Sequence, residues 1–195
     1  MSSAPPQDPA VGLGQIQAAD PAFDLELFKR QAVETYLAVK QALESQDLDE
    51  VADSLTDNVY DDLRLDIADA QARGGVPDFD GLAPTQVVVA AAERGPQGDA
   101  ITLRIQAVSR QYLDARIDSG FASLAPGAFT EFWTFTRPLD ATSQSANRYE
   151  CPNCGAPISV DTGRICHYCK TLLPPPQEQT GWVVAAIQPA QENLG

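Results

Sequence analysis

From Leu25 to Leu43 the apolar positions recur at steps of three and four. Leu25, Phe28, Ala32, Tyr36, Val39 and Leu43 fall on one stripe, as an amphipathic helix requires. Asp24, or the pair Asp20-Pro21, can cap its start. If Asp24 is the cap, Phe23 and Phe28 stand at the two positions of a hydrophobic staple. A short second helix is expected after Asp47, with Glu50 at capping-box spacing. A third is expected from about Thr56, with Tyr60, Leu63, Ile67 and Ala70 as its stripe and Gly74-Gly75 as its stop. Residues 1–19, ahead of these helices, are rich in Pro, Ala, Gln and Gly and show no apolar period. They read as a flexible leader.

Beyond residue 84 the period shortens to two. Val87–Ala92 is a continuous apolar run. Ile101, Leu103, Ile105 and Ala107 alternate with Thr102, Arg104 and Gln106, the pattern of a half-buried strand. Glu131–Thr136 is a further strand with Trp133 and Phe135 on one face, and Trp182–Ile187 is the last. Helices first and an antiparallel sheet afterwards make the class α+β. The helical stripes have only the sheet to bury against. Phe132 and Thr134, on the other face of their strand, are a partner surface if nothing covers them.

Between the last two strands, from Leu139 to about Gln179, the chain is rich in turn formers and carries the run Pro174–Pro176. All four cysteines lie there, as Cys151-Pro152-Asn153-Cys154 and Cys166-His167-Tyr168-Cys169. Two residues between cysteines let one tight turn aim both sulfurs at one ion, and thiolates suit zinc. Gly155 tolerates the backbone conformation that such a knuckle needs. Pro157–Val160 and Thr162–Ile165 can form the hairpin of a zinc ribbon, with Asp161 near the turn. The expected ligands of a structural Zn2+ are therefore Cys151, Cys154, Cys166 and Cys169, while iron fits the same four sulfurs. A redox pair or two disulfides are the rival readings. His167 is a spare donor beside a sphere that four cysteines already fill. Such a sphere leaves no place for a reacting water, so its expected role is folding. A ribbon of about 25 residues is too small to fold on its own core.

Composition narrows the function. The chain of 195 residues carries 27 acidic against 13 basic side chains, a formal net charge of −14. That balance opposes nucleic acid and anionic lipid headgroups. No apolar run reaches the length of a membrane-spanning helix, and the first residues lack the pattern of a signal peptide. The chain reads as cytoplasmic and at most peripheral to a membrane. The sole histidine sits in the ribbon, and no nucleophile elbow, phosphate-binding glycine loop or H-E-x-x-H motif occurs. Catalysis needs a general acid or base near the working pH, so enzyme chemistry is disfavoured.

Three stretches resemble the bacterial branch of the Tim-forty-four-like (Tim44-like) domain family, named after a mitochondrial inner-membrane import subunit. They are Asp20-Pro-Ala-Phe-Asp-Leu-Glu-Leu-Phe-Lys29, Gln46-Asp-Leu-Asp-Glu-Val-Ala-Asp-Ser-Leu-Thr-Asp-Asn-Val-Tyr60 and Glu131-Phe-Trp-Thr-Phe-Thr-Arg137. A C-P-x-C-G ribbon before a final Trp182-Val183-Val184 strand extends the likeness. The resemblance implies a nuclear-transport-factor-2-like cone, in which a curved sheet wraps helices and leaves a cavity. Over this chain it implies one domain from 20 to 190, a ribbon inserted over 148–175 and a tail at 191–195. It also implies a binding or scaffold role for a protein or lipid partner at the inner membrane. Tyr36, Tyr60, Leu63, Trp133 and Phe135 are candidate lining residues of that cavity, with plain core as the alternative. Cone folds also host isomerases and dehydratases, so an enzyme is the runner-up, and a nucleic-acid-binding ribbon is the third reading.

Overall fold

A computed structural model describes residues 8–72, 79, 81–109, 127–139, 141, 143, 153–154, 156, 165–166, 168–172 and 181–190. Helix α1 spans Pro9–Ala19, α2 Leu25–Ser45 and α3 Asp57–Ala72, with a 3-10 segment at Asp49–Ser54. Strands β1 (Ala83–Gly95), β2 (Gly98–Ser109), β3 (Gly127–Arg137) and β4 (Val183–Pro189) follow. They form one antiparallel sheet in the order β1-β2-β3-β4. The class is α+β, as the periodicity predicts.

Helix α2 begins as its sequence dictates. Asp24 Oδ1 accepts from Leu27 N at 2.8 Å, and the Phe23 and Phe28 rings stand 5.9 Å apart, so cap and staple both form. Gln46, in the left-handed region, ends the helix. The α2 stripe runs down β3 in the opposite sense. Phe28 meets Phe135 edge-on at 5.5 Å and Tyr36 meets Trp133 at 5.0 Å. One turn further on, Lys40 meets Glu131. Helix α3 buries Val59, Leu63, Ile67 and Ala70. Tyr60 is only half-buried there, because Val59 holds the inward position at the start of the stripe. After Asp47 the chain makes 3-10 turns rather than an α-helix, and the Asp47 carboxylate accepts from Asp49 N at 3.0 Å instead of forming a box with Glu50.

The leader expected over residues 1–19 is a helix from Pro9 onward. Asp8 caps it by accepting from Ala10 N at 3.0 Å, and Pro9 opens its first turn. Only Gly12 and Ile16 are buried along it, which is too few to leave a periodic trace. Gly12 touches β1 so closely that a Cβ there would stand 1.8 Å from the Ala92 carbonyl oxygen. The helix is therefore seated on the strand by a missing side chain.

Strand β2 alternates as read, with Ile101, Leu103, Ile105 and Ala107 buried. Irregular register at Pro84/Gln86 and Val89/Ala91 in β1, and at Thr134/Phe135 between β3 and β4, bends the sheet. Phe132, between Arg104 and Gln188 in register, is half-buried. No described helix is long and apolar enough to cross a membrane.

Candidate functional site

Three of the four cysteines come together. The sulfurs of Cys154, Cys166 and Cys169 all lie within 4.8 Å of one another, and Cys154 and Cys166 are 3.8 Å apart. Two thiolates on one tetrahedral ion, each at about 2.3 Å, stand about 3.8 Å apart. The donor set therefore fits a metal ion. Cys151, His167, Gly155 and, of the hairpin expected over 157–165, all but Ile165 lie outside the described residues.

The second knuckle explains itself locally. Lys170 N donates to Cys166 O at 2.9 Å, and Cys166 N donates to Thr171 O at 2.9 Å. Lys170 holds φ at 60° to close this turn, a position at which glycine is the usual residue. Asn153 Nδ2 donates to Thr171 Oγ1 at 3.1 Å. Cys169 Sγ and the Thr171 hydroxyl are hydrogen-bonded at 3.3 Å. That bond, with further ones from the Thr171 backbone and Asn153, brings the Cys169 thiol down to about 5. A thiol held as thiolate at neutral pH is a ready metal ligand. Ile165 pairs with Leu172 across the base of this knuckle.

The candidate cavity residues are placed elsewhere. Tyr36, Leu63, Trp133 and Phe135 are buried members of one core, with Tyr60 packed against it. Within it Tyr36 and Trp133 touch each other, and Phe135 touches Phe28.

Sequence reasoning missed two ionic nodes inside that core. Lys40 Nζ donates to Glu131 Oε1 at 2.7 Å with both side chains buried. Glu131 Oε2 accepts from Trp133 Nε1 at 3.2 Å. The rings of Tyr36, Phe79, Phe129 and Trp133 surround the ammonium at 4.8 to 5.9 Å. Burial, reinforced by the Glu131 charge, pushes the Tyr36 phenol far above its ordinary range. In the second node Arg137 Nη1 donates to Asp20 Oδ2 at 2.7 Å and Nε to Asp99 Oδ2 at 3.0 Å. Asp99 also takes Arg94 at 2.7 Å. The Arg137 guanidinium lies 4.9 Å from the Trp182 ring and 5.6 Å from that of Phe23. Burial would raise the Asp20 carboxyl, but bonds from Ser143 and Arg137 and the Arg137 charge outweigh it and hold it below the usual range.

Parity was the available signal. Glu131 and Arg137 share the inward face of β3 with Trp133 and Phe135, Asp99 shares that of β2 with Ile101, and Lys40 is one helical turn beyond Tyr36. A charge on a core-facing position implies a buried partner.

No curated relative matches the chain. The profile described as the Tim44-like domain matches residues 10–147, from within α1 to just short of the cysteine segment. It takes in all three helices, the first three strands and both ionic nodes. Since that match covers most of the chain, the protein belongs to the Tim44-like domain family.

Proposed function

We propose that this protein is a non-enzymatic binding or scaffold module of the Tim44-like type, which engages a protein or lipid partner at the inner membrane. Family membership carries the reading. Its interior supports it. The ionisable groups on the core face are tied to one another and walled by rings. A general acid or base must reach its substrate, whereas these charges are spent on joining helix to strand.

The ribbon takes a structural zinc through Cys151, Cys154, Cys166 and Cys169. The closeness of three of these sulfurs supports that assignment. Once bound, the ion offsets part of the charge of the gathered thiolates and fixes the two knuckles as one unit. The Asn153–Thr171–Cys169 chain orients the sulfur from outside the coordination sphere. Partner contact falls to protein or lipid rather than nucleic acid, given the acidic balance.

Native mass spectrometry of the full chain tests the metal, with one zinc per chain expected. Two disulfides in the purified protein would exclude it. Flotation with vesicles of inner-membrane composition, beside crosslinking in a bacterial membrane extract, tests the scaffold role. Absence of both vesicle binding and any specific crosslink would sink it.

A further inference from the structure

The four strands carry two sets of side chains. The described helices bury their stripes against one set, in the core with Ile101, Leu103, Trp133 and Phe135. The other set lies on the opposite face of the sheet. Two chains of net charge −14 repel each other wherever their acids meet. Among the described residues this opposite face offers one acid, Glu93, and one base, Arg104. Val108 is exposed on it, and Phe132 is half-buried near its middle. The register divides the face into rows that cross the strands. One row holds only small residues, Ala91, Thr102, Thr134 and Ala186, and its two threonine hydroxyls are hydrogen-bonded at 2.9 Å. The row on one side of it is bulky and basic, with Arg104 and Phe132 in register. The row on the other side holds the acid Glu93 beside the small Ala100 and Thr136.

We infer that this face pairs with the same face of a second copy, about a two-fold axis that runs along the small-residue row. Such an axis turns that row onto itself and sets each flanking row over the opposite one of the other copy. Arg104 of either copy then comes beside Glu93 of the other, and the Phe132 ring meets Thr136 rather than a second ring. Both contacts occur twice, once on each side of the axis, as a self-complementary interface requires. The strands of the two sheets run antiparallel, in the aligned packing that twisted sheets favour. Four strands about 4.8 Å apart, paired over about 36 Å, present on the order of 700 Å², close to the roughly 800 Å² that each partner of a stable interface buries. A strongly charged partner finds little here to complement, whereas the single charge of each sign complements its opposite on a second copy.

Sedimentation velocity of the full chain over a concentration series is the test, and a reversible dimer is the expected result. Thr134→Arg, which sets like charges face to face on the axis, should give a monomer with an unchanged far-UV spectrum. Arg104→Glu and Glu93→Arg should each weaken the dimer about tenfold, because the pair is lost on both sides of the axis. The two together, at unchanged net charge, should restore it, which a variant weakened by misfolding would not do. A chain that stays monomeric throughout the series overturns the proposal. So does a dimer indifferent to Thr134→Arg, or a double variant no tighter than the singles. A monomer that loses its crosslinked partner with Thr134→Arg would assign the face to a different protein, which sinks the pairing of copies and leaves the scaffold reading standing.

Discussion

Asp20 shows how one side chain can be read in two ways. Beside Pro21 it looks like a helix cap, yet Asp24 takes that role and Asp20 turns inward to Arg137 and to Ser143 N, each at 2.7 Å. Its folded pKa lies below the ordinary carboxyl value. The sign follows from linkage: a depressed carboxyl stabilises the fold fully above its unfolded pKa, and that contribution fades as pH falls through the folded value. Urea midpoints at pH 7 and pH 3 should therefore separate more for the natural protein than for Asp20→Asn. Equal separations would show that Asp20 carries no such linkage.

At the element scale, packing rests on two contacts that hydropathy does not announce. Gly12→Ala sets a methyl against the β1 backbone, which cannot yield as a side chain would. The expected cost is about 1–3 kcal/mol, with hydrogen-exchange protection of α1 lost first. Retained protection would mean that α1 slides without penalty. The Lys40–Glu131 pair joins α2 to β3. Lys40→Met alone strands a buried carboxylate and should cost about 3–5 kcal/mol. Lys40→Met with Glu131→Leu should recover most of it, since removing both charges removes the desolvation penalty. Denaturant midpoints of the single and double variants measure this. A double variant as weak as the single would mean that the ring enclosure specifically requires the ammonium.

For the whole molecule the question is how the insertion relates to the sheet. Its two ends meet. A Cβ on Gly181 would lie 3.0 Å from Ala141 Cβ, and Arg137 reaches Ser143 on one end and the Trp182 ring on the other. The segment between is thus a closed excursion from the sheet. Stripping its metal should turn it into a loose loop whose closure costs at most about 3 kcal/mol, far less than the roughly 10–16 kcal/mol the ion contributes to an isolated finger. Chelation of the full chain should leave one cooperative far-UV transition at a modestly lower urea midpoint. Loss of the sheet signal on chelation would show that the ribbon holds the domain together.

Period and local chemistry were enough for α2, α3, β2 and the spacing of the cysteine pairs. Each depends on residues within a few positions of one another, where the backbone repeat alone decides which side chains share a face. The seating of α1, the inward turn of Asp20 and the pairing of Lys40 with Glu131 had no such trace. They join residues far apart in sequence: Gly12 with Ala92, Lys40 with Glu131 at a separation of 91 and Asp20 with Arg137 at a separation of 117. Only the folded chain decides which buried charge finds which partner, because burial makes an unpaired one prohibitive and distance in sequence says nothing about proximity in the core.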